Sequence, residues 1–398
     1  MSGAGVAFGV DRVVRDGALL PLAARVGLVT NEAARLAGDA AVRSRVALLA
    51  AGVPIVRLFS PEHGLAAVGE DGAPMRDGVD ATTGLPVVSL YGERFAPPAE
   101  SLADLDLVLF DVPDVGARFY TYAWTLSHVL EACARAGTPL AVLDRPNPLG
   151  GVLEGAEGPM LDEATCASFI GRWSIPIRHA LTLGELARLW AQTRVREARL
   201  SVVACDGWRR DMMWPALALP WIPTSPAMPS FDAALAYPGT CLFEGTNLGV
   251  GRGTAHPFQQ VGAPWLDAAR VLDAVQLPAE WGMQLAATSF SPGEGPYAGQ
   301  ACHGVRLTAV DARRVRPVAA GLALLAAVVR AHPREFAWAP YRTAANPGGD
   351  DHFARIVGVR HVAPRLLDLS SPVTPALVRQ WTAATAWAGQ VREALLYE

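Results

Sequence analysis

The sequence predicts an α/β protein: a parallel sheet covered by helices on both faces, followed by a smaller domain of mixed structure. Three observations predict it. Continuous apolar, β-branched runs alternate with stretches of helical period as far as residue 208. A Pro- and Trp-rich stretch, "WPALALPWIPTSPAMPSFDAALAYPG" (214–239), then breaks the alternation. A chain of 398 residues has room for two domains and a substantial core.

In order, the strands are "RVGLVTN" (25–31), "VPIVRLFS" (53–60), "LPVVSLYG" (85–92), "LDLVLFDV" (105–112), "PLAVLDR" (139–145) and "LSVVACDGW" (200–208). Helices fall between them at 39–52, 118–137, which ends at a Gly C-cap, and 182–192. The 214–239 stretch marks the crossing, giving domains at 1–230 and 231–398. The second holds a Gly-rich loop "FEGTNLGVGRGTAHPF" (243–258), a helix around 312–331 and a C-terminal helix over 374–397.

Composition excludes several classes of function. The apolar fraction is 51%, the charged fraction 18% and the formal net charge −4, so no basic surface advertises nucleic acid. All 34 basic residues are arginine, which removes a lysine Schiff base, a P-loop lysine and a Ser-Lys dyad. No GxGxxG follows a strand, so a dinucleotide site is not expected. The five cysteines are scattered with no CxxC pair, arguing against a disulfide framework or a zinc-thiolate site. The longest apolar run, 317–329, is too short to span a bilayer. The N-terminal "MSGAGVAFGVDRVVRDG" has charges where a signal peptide needs an apolar core, so the chain is expected in the cytoplasm.

An open parallel sheet binds its ligands outside the carboxyl ends of its strands. Here those ends carry Asn31; Glu62 and His63; Tyr91 and Glu93; Asp111 and Asp114; and Asp144, Arg145 and Asn147. All five are expected to face one crevice. Carboxylates with Tyr, Asn and Arg, and no lysine or nucleotide loop, suit acid/base hydrolysis of a hydroxyl-rich substrate. Glu62 is the preferred acid, because an apolar strand and Pro61 behind it would desolvate it and raise its pKa. Arg118, Tyr120 and Tyr122 of "RFYTY" and Glu244, Asn247 and Arg252 of the Gly-rich loop add binding candidates, the loop serving as a wall or lid. Two rivals from other classes use the same residues: a metal-dependent phosphoesterase with Glu62, His63, Asp111 and Asp114 as ligands, and a non-catalytic sugar binder.

"SPEHG" (60–64), "GLPVVSLYG" (84–92), "FDVPDVGARFYTY" (110–122), "DRPNPLGG" (144–151), "PGTCLFEGTN" (238–247) and "GRGTAHPF" (251–258) occur in the order expected of the NamZ family, which the chain resembles from about residue 24 to its end. The resemblance implies a Rossmann-like parallel-sheet N-terminal domain, a smaller α+β C-terminal domain and an active site between them. It also implies an exo-β-N-acetylmuramidase acting on a small carbohydrate such as MurNAc-GlcNAc, without metal or nucleotide cofactor and with no membrane partner; the alternatives beside it are a glycosidase on another 2-acetamido or anionic sugar and a non-catalytic muropeptide binder. The family's glutamate falls on Glu62. Asp111, Asp114, Glu93 or the substrate's own acetamido oxygen is left as the second group. For the lactyl carboxylate of MurNAc an arginine clamp is expected from Arg118, Arg145 or Arg252. Pro113 stands where family members usually have Gln, removing an amide and a backbone donor.

Overall fold

The structure is a computed structural model that describes residues 5–398; residues 1–4 of the N-terminal stretch read above lie outside it. Strands β1 (Val26–Thr30), β2 (Ile55–Ser60), β3 (Gly78–Val79), β4 (Pro86–Ser89), β5 (Leu107–Asp111), β6 (Leu140–Leu143) and β7 (Leu200–Val203) form one sheet, in the order β3-β4-β2-β1-β5-β6-β7. Only the edge pair β3–β4 is antiparallel. Numbered among themselves, the parallel strands run 3-2-1-4-5-6, the doubly wound order of Rossmann folds, which reverses between β1 and β5 and opens a crevice at their carboxyl ends.

The pleat sorts the apolar residues of these strands into two cores. Leu28, Leu58, Leu109 and Leu143 face α1 (Gly9–Arg15) and α2 (Ser44–Ala50). Val29, Phe59, Val108, Phe110 and Val142 face α3 (Tyr122–Ala136) and α5 (Leu183–Thr193), with the short α4 (Glu163–Cys166) between them in sequence. Gly137 closes α3 in the left-handed conformation, its N–H bonding Ala134 O and Cys133 O. Thr182 and Glu185 form a capping box that opens α5.

The second core continues into the remainder of the chain. There β8 (Gln260–Ala263), β9 (Met283–Phe290) and β10 (Cys302–Ala309) form an antiparallel sheet in the order β8-β10-β9. Around it lie α6 (Phe231–Thr240), α7 (Ala268–Ala274), α8 (Pro317–Ala331), α9 (His352–Val357), α10 (Val362–Leu367), α11 (Pro375–Thr382) and α12 (Trp387–Val391). Helices α6 and α8 touch backbone to backbone at Gly239 and Gly321, where a Cβ on either would run into the other's main chain.

Several boundaries differ from the sequence reading, among them α2, which spans only Ser44–Ala50, and α8, which starts at Pro317. Helix α3 starts at Tyr122, because residues 118–121 form the turn that feeds the site. The 214–239 stretch is not all irregular: Ser230 caps α6, which tolerates Pro238. Strand β7 stops at Val203, after which Asp206 pairs instead with Ala7. The 374–397 helix is broken after Thr382, whose carbonyl turns away to accept the Gly158 N–H.

Candidate active site

β2 runs out at Ser60, and the chain turns tightly, with the Gly64 N–H bonding Pro61 O. His63 (φ 65°) and Gly64 (φ 71°) both take left-handed conformations, which is strained for the histidine. The loop then closes on itself: Gly69 N–H donates to His63 O, and His63 Nδ1 lies 2.8 Å from Gly69 O. Nδ1–H donates in that bond, since a carbonyl oxygen can only accept. The turn thus sets Glu62 at the bottom of a cleft of about 760 Å³, 5% exposed. Glu62 Oε1 accepts the Gly72 N–H (2.9 Å) and Oε2 the Thr121 hydroxyl (2.6 Å). Burial, and then the charge of Asp71, push its pKa up against the opposing effects of His63, Thr121 and Tyr91.

The opposite wall comes from far along the chain. Asp71 receives Arg252 Nη2 at 3.1 Å and a hydrogen bond from the Tyr341 hydroxyl. Burial would push Asp71 up, but its side chain keeps 30% of its surface in solvent, and Arg252 and Tyr341 prevail, holding it below the usual carboxylate range. Arg252 also donates to Glu244 Oε1 at 2.7 Å; burial pushes Glu244 up despite that pair. Gly72 makes the crossing possible, since a Cβ there would lie 2.6 Å from Thr343, and its carbonyl accepts the Ala344 N–H. Tyr91, Phe169, Tyr120, Tyr237 and Phe258 supply aromatic surface suited to a sugar ring. Two carboxyl groups face each other, one pushed toward the protonated form and one held ionised, which is how an acid and its partner are separated. Glu62, His63 and Asp71 also offer ligand atoms within 4.8 Å of one another, the one such grouping among the described residues. Their oxygens are already engaged by Gly72, Thr121, Tyr341 and Arg252, and the Arg252 guanidinium occupies the cation's side of Asp71.

The five strand ends do not share one crevice. A second cavity of about 540 Å³ lies over β5 and β6, lined by Phe8, Pro113, Asp114, Arg145, Trp214 and Trp221 among others. Tyr120 and Tyr122 wall it off, the first bonding Thr224 Oγ1 (2.6 Å) and the second Thr224 O (2.7 Å). Asp111 is fully buried, lines neither space and holds Arg145 Nε at 2.7 Å. Asp114 accepts the Gly116 N–H, and burial pushes it up to about 7.

Other expected binding residues are built into the scaffold. Arg118, meant as a clamp, is fully buried and donates to the carbonyls of Pro159, Ile175, Ile356 and Val357. Asp144 takes Thr182, Gly184 and Tyr397 as donors, tying β6 to α5 and the C-terminus. Asn147 bonds Leu181 O and Leu149 N, and Asn247 bonds Glu335 O and Ala337 N. Asn31 braces its own turn through Ala33 N. Glu93, 91% exposed, points to solvent. The cleft therefore unites Glu62, His63, Tyr91, Tyr120, Glu244 and Arg252 of the expected residues and adds Asp71, Thr121, Tyr341, His352 and Arg355. Only Asp71, between two glycines in "GEDG" just after "SPEHG", carried a local signal.

Residues 26–232 match the family model described as exo-beta-N-acetylmuramidase NamZ, N-terminal, and residues 235–397 match its C-terminal counterpart. The chain belongs to the NamZ family. It is 37% identical over 336 residues to the peptidoglycan beta-N-acetylmuramidase NamZ of Bacillus subtilis strain 168, a match covering 83% of this chain and 79% of that one. Two crystal structures of DUF1343 family proteins from Bacteroides fragilis NCTC 9343 align over 99% of both chains. Their TM-scores are 0.84 and 0.74, at 27% and 25% identity.

Proposed function

We propose that this NamZ-family chain is an exo-β-N-acetylmuramidase, a glycoside hydrolase that removes MurNAc from the non-reducing end of peptidoglycan fragments such as MurNAc-GlcNAc. The observation that carries the roles is the split carboxyl pair. Glu62, raised by burial, is the general acid that protonates the leaving oxygen; Asp71, kept ionised by Arg252 and Tyr341, faces the developing positive charge at the anomeric carbon. We place the catalytic domain at 1–230 and the domain that supplies Glu244, Arg252 and Tyr341 to the cleft at 231–398. No helix among the described residues is long and apolar enough to cross a membrane. The five cysteines are all unpaired and buried, which suits the reducing cytoplasm as the place of action.

The test follows MurNAc-GlcNAc by proton NMR in EDTA, with wild type and Glu62→Gln. Wild type should release MurNAc, and the variant should be slower by about 10³-fold or more. Wild-type release that vanishes in EDTA would transfer the roles to a metal held by Glu62, His63 and Asp71, and an active Glu62→Gln would remove Glu62 from the chemistry.

A further inference from the structure

MurNAc differs from GlcNAc by one group, the lactyl ether on O3, which ends in a carboxylate. An enzyme that selects MurNAc needs a free cation to meet it. The floor of the cleft does not offer one. Glu62, Asp71 and Glu244 stand there against a single guanidinium, Arg252, which is already shared between Glu244 (2.7 Å) and Asp71 (3.1 Å). A further carboxylate brought to that end meets like charge.

The cleft's other guanidinium is differently placed. Arg355 lines the cleft from α9, half-buried beside His352 and Ile356. Among the described residues its side chain makes no ion pair, and the acid nearest it in sequence, Asp351, is taken by Arg360 at 2.8 Å. His352 does not compete as a second cation, because burial and then Arg355 itself push it down to about 4 against the pull of Asp71. The backbone that carries Arg355 is fixed. The last carbonyls of α9, Ile356 O and Val357 O, each receive Arg118 Nη2 at 2.8 Å, and the closing Gly358 packs so close to that guanidinium that a Cβ would strike it. At the helix start, the His352 ring stacks on Tyr341, whose hydroxyl reaches Asp71. Arg118, expected to clamp substrate, instead holds the turn that presents a different arginine.

We infer that Arg355 receives the lactyl carboxylate as a guanidinium–carboxylate pair and so sets selectivity for MurNAc over GlcNAc. The inference rests on the activity proposed above and deepens it. Two arms keep their failures apart. In titration calorimetry with free sugars, Arg355→Ala should weaken MurNAc binding about 10- to 100-fold and leave GlcNAc binding unchanged, with Arg355→Lys intermediate because it keeps the charge but not the fork. In turnover of MurNAc-GlcNAc, the same loss should appear in KM with kcat nearly retained. Equal losses for both sugars, an unchanged MurNAc affinity, or a wild type that binds MurNAc no tighter than GlcNAc would each overturn the assignment. A wild type that binds MurNAc through Arg355 but releases none from the disaccharide would overturn the activity and uphold the subsite.

Discussion

The cleft over β2 and the cavity over β5 are neighbours on one sheet edge, parted by Tyr120, Tyr122 and Thr224. Both lie beside buried carboxylates from strand ends that look alike in the sequence. What differs is the group each carboxylate faces. Glu62 faces another carboxylate, and the cation that steadies Asp71 comes from the second half of the chain. Asp111 instead meets Arg145, just past the end of the next strand of its own sheet, in an ion pair that forms at 2.7 Å without any substrate. The difference teaches that a strand-end carboxylate becomes available for catalysis when its counter-charge is withheld or shared, and becomes scaffold when a neighbour supplies one outright.

The sharpest way to break that comparison, after Glu62 itself, is Asp71→Asn. Turnover should fall about 10²- to 10³-fold while the fold persists, since Arg252 keeps Glu244. The pH profile separates a catalytic from a structural role. Wild type needs Asp71 ionised and Glu62 protonated, so its rate should fall below Asp71's lowered pKa and above Glu62's raised one. In the variant the acid limb should vanish. The basic limb should move to lower pH, because the charge of Asp71 is one of the causes that raise Glu62. Activity within about three-fold of wild type, with both limbs in place, would return Asp71 to the scaffold.

Asp114→Asn tests the other pocket and should do little to the rate, within about three-fold. Its effect lies in stability, with a definite sign. In the unfolded chain Asp114 ionises near 4, whereas burial keeps it protonated in the folded protein to about 7. Over that interval the folded state holds the extra proton, so the contribution of Asp114 to stability falls as pH rises from about 4 to about 7 and is level beyond. Its neighbour His179 does not offset this, since burial pushes it down to about 3 and leaves it uncharged. The variant should therefore melt higher than wild type at pH 8 and show a flatter dependence of Tm on pH. A variant that melts lower at pH 8 but loses turnover at pH 6 would make Asp114 part of the chemistry after all.

The sequence made the sheet legible because β1, β5 and β6 are near-continuous apolar runs, broken only by Thr30 and Asp111 at the ends of β1 and β5, and are buried at every residue, as strands covered on both faces require. Glu62 was legible for the same reason, as the polar residue at the end of such a strand. Arg118 was misread because "RFYTY" resembles an exposed helix start; the carbonyls that hide its guanidinium, at 356 and 357, lie in the other half of the chain. Asp71 and Arg355 were missed on similar grounds. Each sits in a stretch without strong periodicity, and its meaning depends on partners, or the absence of partners, that only the fold brings near: Tyr341 is 270 residues from Asp71. Local pattern carries the layers of a fold, while the charge balance of a site is a long-range property.

Tyr91→Phe should change the rate least of these variants. Tyr91, 2% exposed, stands behind Glu62 and is one of the groups that lower its pKa, opposing burial and Asp71. Tyr91→Phe keeps the ring that packs on Phe95 and Phe169 and removes only the hydroxyl. Without that hydroxyl, Glu62 should hold its proton to higher pH, so the basic limb of the rate moves up while the rate on the plateau changes by no more than about three-fold. The direction is the informative part, since it is opposite to that of Asp71→Asn although both side chains lie within the same cleft. A basic limb that stayed in place in both variants would mean that it reports some group other than Glu62, and the acid would have to be sought again among Glu244 and His63.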